Sequence, residues 1–217
     1  MDRVQRNGGT AGIVTGLLLA LLFAMIFMLG QDAMTPGDPA KVLSVVTQKW
    51  GLFAAVNFVG LLASSAAIPF VVGIATRLRD AAPTRARTVL YSTLIGLGAY
   101  ALGSIMMWQG GHQVVEYAVK DQAGATTAWL ALFAVNTGLS GVGNVFTGAG
   151  TLVAGWAIIG TGAMGVGVGW VGIVAGALGI LTLFAPTMPA VFLGSFALTI
   201  VWALWAGSEL MRGKASK

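Results

Sequence analysis

The sequence contains no cysteine. Disulfides, iron–sulfur clusters and thiolate metal sites are therefore excluded. Charge is scarce as well: only 9% of the 217 residues are Asp, Glu, Lys or Arg, against about 25% in a soluble domain. So few charges cannot cover a water-facing surface. Histidine occurs once, at His112 in WQGGHQVVEY. One imidazole cannot supply both axial ligands of a membrane b-type haem. Paired with Glu116 four residues on, it makes two ligands, too few for a structural zinc site. His112 is expected in an exposed loop, with a single axial contact to a porphyrin-type pigment as the sharper alternative. No metal site and no resident cofactor is expected. The chain also lacks the segments of about 10 alternating residues that build a membrane barrel.

What is present in quantity is apolar sequence. Hydrophobic residues make up 57% of the chain, and the mean hydropathy is +0.86. The apolar runs are long rather than striped, as lipid-facing helices are. The expected fold is all-α: one transmembrane domain over 1–217, a polytopic helix bundle of six spans. The spans are placed near 10–30, 50–76, 87–108, 138–159, 164–184 and 190–209. The fourth is the difficult one. Thr126 to Ile159 would extend about 50 Å as one helix, against a hydrocarbon core of about 30 Å. No charged or prolyl turn divides it. Residues 126–137 are therefore read as a helical extension or interfacial segment. Arg3 and Arg6 before the first apolar run resemble a signal peptide, but that run exceeds the ~7–15 residues of a signal h-region. A retained first span is expected.

Charge orients the bundle. With six spans, one side collects Arg3, Arg6, Arg77, Arg79, Arg85, Arg87, Arg212, Lys214 and Lys217, and the other only Lys41, Lys49 and Lys120. A seventh span would erase that bias. Both termini are accordingly expected in the cytoplasm of a bacterial cell, with the chain in the inner membrane. The densest basic stretch, RLRDAAPTRAR from Arg77 to Arg87, reads as the cytoplasmic loop between spans 2 and 3. There Pro83 breaks the helix, Asp80 pairs with a neighbouring arginine, and anionic lipid head groups are met. Trp50, Trp108, Trp129, Trp156, Trp170, Trp202 and Trp205 fall near span ends and read as interfacial anchors. The pI near 10.0 reflects these flanking charges. No basic helix or aromatic-basic surface points to nucleic acid.

Chemistry is thin inside the spans. No acid, lysine or arginine is expected there, which argues against a proton pump or a carboxylate-driven transporter. No lysine in a late span is available for a retinal Schiff base. Gly167, Gly169 and Gly172 match G-x-G-x-x-G formally, but no strand precedes them and no acid follows at the required distance. Gly165/Gly169, Gly172/Gly176 and Gly12/Gly16 suit close helix packing. Uncharged polar residues are the better lead. Span 2 holds Asn57, Ser64 and Ser65 ahead of Pro69, a plausible kink. Asn136, Ser140, Asn144 and Thr147 are spaced four, four and three apart, on one helix face. Such a stripe serves as interhelical glue or lines a polar cavity. No nucleophile–base pair emerges, so no enzyme is expected.

The stretch GAGTLVAGWAIIGTGAMGVGVGWVGIVAGALGIL, Gly148 to Leu181, resembles a bacterial family of six-span membrane proteins catalogued as a domain of unknown function. That family similarly places a long fourth span, a short turn and a Gly-rich fifth span. The first loop, with Pro36, Asp38 and Pro39, also fits. The family's turn has Ser-Gly followed by aliphatic-Pro; here Thr161-Gly162 is followed by Ala163-Met164-Gly165. The resemblance implies a fold and no activity. Two function classes are expected: a non-catalytic subunit among other membrane protein subunits and membrane lipid, or a small transporter or channel for a neutral or apolar solute.

Overall fold

The computed structural model describes residues 3–30, 38–184 and 189–212. Seven helices occur among them and no strand: α1 (Arg3–Leu29), α2 (Pro39–Gln48), α3 (Trp50–Leu78), α4 (Pro83–Ala118), α5 (Gln122–Thr161), α6 (Val166–Leu181) and α7 (Pro189–Arg212). Five of them, α1, α3, α4, α5 and α7, are long and apolar enough to cross a membrane. The chain is thus a helical bundle of membrane type. α6 has only 16 residues, about 24 Å, where a span over 164–184 was expected.

Six helices close into a ring in the order α1, α3, α4, α5, α6, α7 and back to α1. Every neighbouring pair is antiparallel. Gly8 at the start of α1 lies on Gly73 near the end of α3, Gly96 of α4 on Thr147 of α5, and Gly110 of α4 on Leu132 of α5. Glycine makes these approaches possible. A Cβ on Gly155 of α5 would stand 2.4 Å from the carbonyl oxygen of Gly169 on α6, and one on Gly176 would stand 2.5 Å from that of Gly148. In a bilayer, where apolar burial alone does not drive helices together, such backbone approach supplies the packing. Gly169, Gly172 and Gly176 face α5 or α7, and Gly12 and Gly16 face α3 or α7. Their packing is intramolecular.

The antiparallel order gathers Arg3, Arg6, Arg77, Arg79, Arg85, Arg87 and Arg212 at one end of the bundle. Lys41, Lys49 and Lys120 lie at the other. Lys214, Lys217 and Pro36 lie outside the described residues. At the arginine end a packed cluster that includes Ile74, Leu78, Val89, Ile158, Val168 and Leu210 fills the ring. At the lysine end a second cluster joins Leu29, Val42, Leu43, Val46, Phe53, Met107, Ala125 and Trp129.

Several expectations are corrected. Residues 39–48 form a helix rather than loop. Asp38 caps it by accepting from the Lys41 N–H at 3.1 Å, and Pro39 occupies its first turn. That is a standard start signal, and Val42, Leu43 and Val46 bury its apolar face. α4 does not stop at Trp108 but runs to Ala118, so His112 is helical, not in a loop. α5 is one helix of 40 residues, about 60 Å; residues 126–137 are its helical extension, the first of the two readings expected for them. Gly162, at φ 62°, ends it in the left-handed conformation, its N–H donating to Ile158. The basic loop shrinks to 79–82: Arg77 belongs to α3, while Arg85 and Arg87 belong to α4. Pro83 opens α4 because its missing N–H costs nothing in a first turn. Asp80 makes no ion pair among the described residues. Pro69, the expected kink position, lies within α3, which continues past it. Trp129 and Trp202 are 2% and 5% exposed. They are core residues, not interfacial anchors, while Trp156, Trp170 and Trp205 are exposed.

Candidate functional site

The ring encloses a central cavity of about 370 Å³ to which all six of its helices contribute. This falls within the ~300–1,000 Å³ usual for small-molecule sites. Asn136, Ser140, Asn144 and Thr147 all line it. Their spacing puts them on one face of α5, and the ring turns that face inward. Asn57 and Ser64 of α3 line it as well; Ser65, one position on, is exposed and bonds back to the Leu61 carbonyl at 2.9 Å. Thr137 is likewise exposed and bonds to Phe133 at 2.9 Å. The floor is Phe70 of α3 set edge-on to Trp202 of α7, ring centroids 5.3 Å apart. Below it lies the packed cluster of the arginine end.

Among the described residues the lining is uncharged. Its polar groups divide into two kinds. Some are committed within the protein. The Tyr100 hydroxyl of α4 donates to the Asn144 carbonyl oxygen, a bond between helices. Gly143 leaves room for the Tyr100 ring, 2.7 Å from where its Cβ would stand. Thr147, Thr15, Ser64 and Thr199 donate to carbonyls of their own helices. Others are uncommitted. Among the described residues no protein group hydrogen-bonds to the side chains of Ser104, Asn136, Ser140 or Ser195. Ser195 is only 9% exposed, and the buried Trp202 Nε1 also lacks a partner. Buried polar groups are nearly always paired. Ser104, Asn136, Ser140 and Ser195 line the cavity, and a molecule within it can supply their partner; Trp202 Nε1 is sealed against Gly172 of α6, out of its reach.

Tyr100, Ser104 and Ser195 were missed in the sequence, and Trp202 was read as an interfacial anchor. Their spacing was a usable signal: Tyr100 and Ser104 are four apart on α4, and Ser195, Thr199 and Trp202 are spaced four and three on α7, each set on one helix face.

The other predicted residues lie at the two ends. Arg77 is 7% exposed. Its Nε donates to the Ala163 carbonyl and its Nη1 to Gln5 Oε1, both at 3.0 Å. Glu209 of α7 accepts from the Gly165 N–H at 3.2 Å. Arg77 and Glu209 thereby tie α1, α3, α7 and the α5–α6 turn together. The Arg85 guanidinium lies over Trp156, 4.6 Å from the ring centroid, a cation–π contact. Arg79 and Arg87 are exposed. At the lysine end His112 stacks on Trp50, centroids 5.5 Å apart, with Glu116 3.4 Å from its Nε2. Asp121 caps α5, and its bonds to the Gly124 N–H and the Tyr117 hydroxyl hold its carboxyl below the usual range. Lys49 Nζ donates to the carbonyls of Met28 and Leu29, closing the end of α1. No group of three or more His, Cys, Asp or Glu able to hold a metal occurs among the described residues.

No protein-family model matches the chain, and no curated protein and no solved structure matches it.

Proposed function

We propose that the protein is a carrier for a small uncharged solute, which it binds in the central cavity. The observation that carries this is the uncommitted polar lining, drawn from α4, α5 and α7 and free of charge. An ionic substrate would meet no counter-charge among the described lining residues. The cavity does not traverse the bundle, because the cluster at the arginine end shuts the ring. That shape suits a carrier closed on one side better than an open channel. In this reading all six ring helices span a bacterial inner membrane. The arginine end and both termini are cytoplasmic by the positive-inside bias, and exposed arginines meet anionic lipid. The same six-span layout is what the resemblance to the family of unknown function implies.

A second reading, a non-catalytic subunit of a larger membrane assembly, draws on a different feature. α4 and α5 exceed the ~30 Å hydrocarbon core. Toward their lysine ends they frame an apolar groove lined by Met106, Val114, Ala128, Ala131, Leu132 and Val135. The native mass after mild detergent extraction, with identification of companions, separates the two. A monomer or small homo-oligomer is expected. A large complex with stoichiometric foreign subunits would replace the carrier with the subunit.

A further inference from the structure

The cavity has two unlike walls. α4 and α5 stand on one side of the ring and present Ser104, Asn136 and Ser140, none with a protein partner among the described residues. The Asn144 amide faces the same space; its oxygen is taken by Tyr100, which leaves its NH₂ as a donor. α1 and α7 stand opposite. They present Leu19, Leu22 and Ile26 from α1 and Phe192 and Phe196 from α7. Phe23 stacks behind Phe196, centroids 5.2 Å apart, and stiffens that wall. The hydroxyls these two helices do bring, Thr15 and Thr199, are turned onto the carbonyls of Ala11 and Ser195, both at 2.8 Å. Ser195 alone breaks the pattern, on the side of α7 toward Gly179 of α6.

From this division we infer that the ligand is an uncharged amphiphile: a hydrocarbon body carrying hydroxyl, carbonyl or amide groups along one side. The inference rests on the carrier reading and specifies its substrate class. Three other classes fit worse. A polyol would turn hydroxyls onto Leu19, Leu22 and the phenylalanines and lose hydrogen bonds it had in water. A pure hydrocarbon would leave Ser104, Asn136 and Ser140 unpaired. A carboxylate or an ammonium would be buried without a counter-charge. An alcohol or amide oxygen toward α5, with its chain against α1 and α7, satisfies both walls.

The test is photolabelling of the full chain in lipid nanodiscs with azioctanol, an uncharged photoreactive alcohol, followed by mass-spectrometric mapping. Adducts are expected on Leu19, Leu22, Phe192 or Phe196, besides those on lipid-facing Leu17 and Leu21. Excess octanol should remove the cavity adducts and spare the lipid-facing ones. Octane, octanoate and glycerol at the same concentration should not. Ser140→Ala, a change of one oxygen, and Asn136→Ala should each weaken octanol protection about three- to tenfold, the worth of one hydrogen bond. Adducts confined to lipid-facing positions would overturn the inference. So would equal protection by octane, octanoate or glycerol, or unchanged protection in both variants. Labelling reads occupancy and not movement, so failure of the carrier reading shows separately, in the native mass.

Discussion

Arg77 shows how the same residue type serves two purposes in one stretch. Arg79 and Arg87 sit in solvent. Arg77 is buried and bridges α3 to the Ala163 carbonyl and to Gln5. Its removal strands a carbonyl and an amide oxygen. Arg77→Met is expected to cost about 1–3 kcal/mol, and Arg87→Met less than about 0.5 kcal/mol. Thermal unfolding of the two variants in one detergent measures the difference. Equal shifts would show that the tie contributes nothing. The polar stripe was legible at this scale because four residues of α5 share a helical period. Trp129 and Trp202 were not, since an indole near a span end reads alike whether it faces lipid or the core.

At the scale of elements, length and packing separate from hydropathy. Hydropathy locates the apolar stretches, but α4 and α5 continue past them. The polar residues of WQGGHQVVEY form good helix once Trp50 and Phe53 of α3 pack on Gly111. α2 is too short to stand alone and is held by the cluster around Leu43 and Trp129. Its start was nonetheless written in Asp38-Pro39. The α5–α6 pair depends on glycine. Gly155→Val places carbon atoms against the Gly169 carbonyl and is expected to destabilise by about 1–3 kcal/mol. Gly138, on the same helix, has open space around its Cβ position. Gly138→Ala should be neutral or slightly stabilising, since alanine favours helix by about 1 kcal/mol. Detergent unfolding curves that ranked the two in the opposite order would remove the close approach from the account.

For the whole molecule the decisive property is ring closure. Antiparallel neighbours from α1 round to α7 give six crossings if α6 spans. Because the chain has no cysteine, single substitutions report sidedness cleanly. Arg79→Cys and Lys120→Cys should react with a membrane-impermeant maleimide from opposite sides of oriented vesicles, with Arg79→Cys reached from the cytoplasmic side. Reaction from one side would refute the six-span topology. The same labelling at position 214 should follow position 79.

The all-helical, membrane-type character followed from the sequence alone, because charge scarcity and long apolar runs act on solvation, which depends on composition and not on partners. The inward face of α5 was also readable, since helical period is a local property. Tertiary structure decided the rest. Which tryptophans are buried, which arginine is a tie, and that the stripe faces a cavity all depend on residues brought together by ring closure. Ser195 and Tyr100 are distant in the chain from Asn136, and only the packing of α4, α5 and α7 sets them around one space. No periodicity within a single helix encodes what stands opposite it.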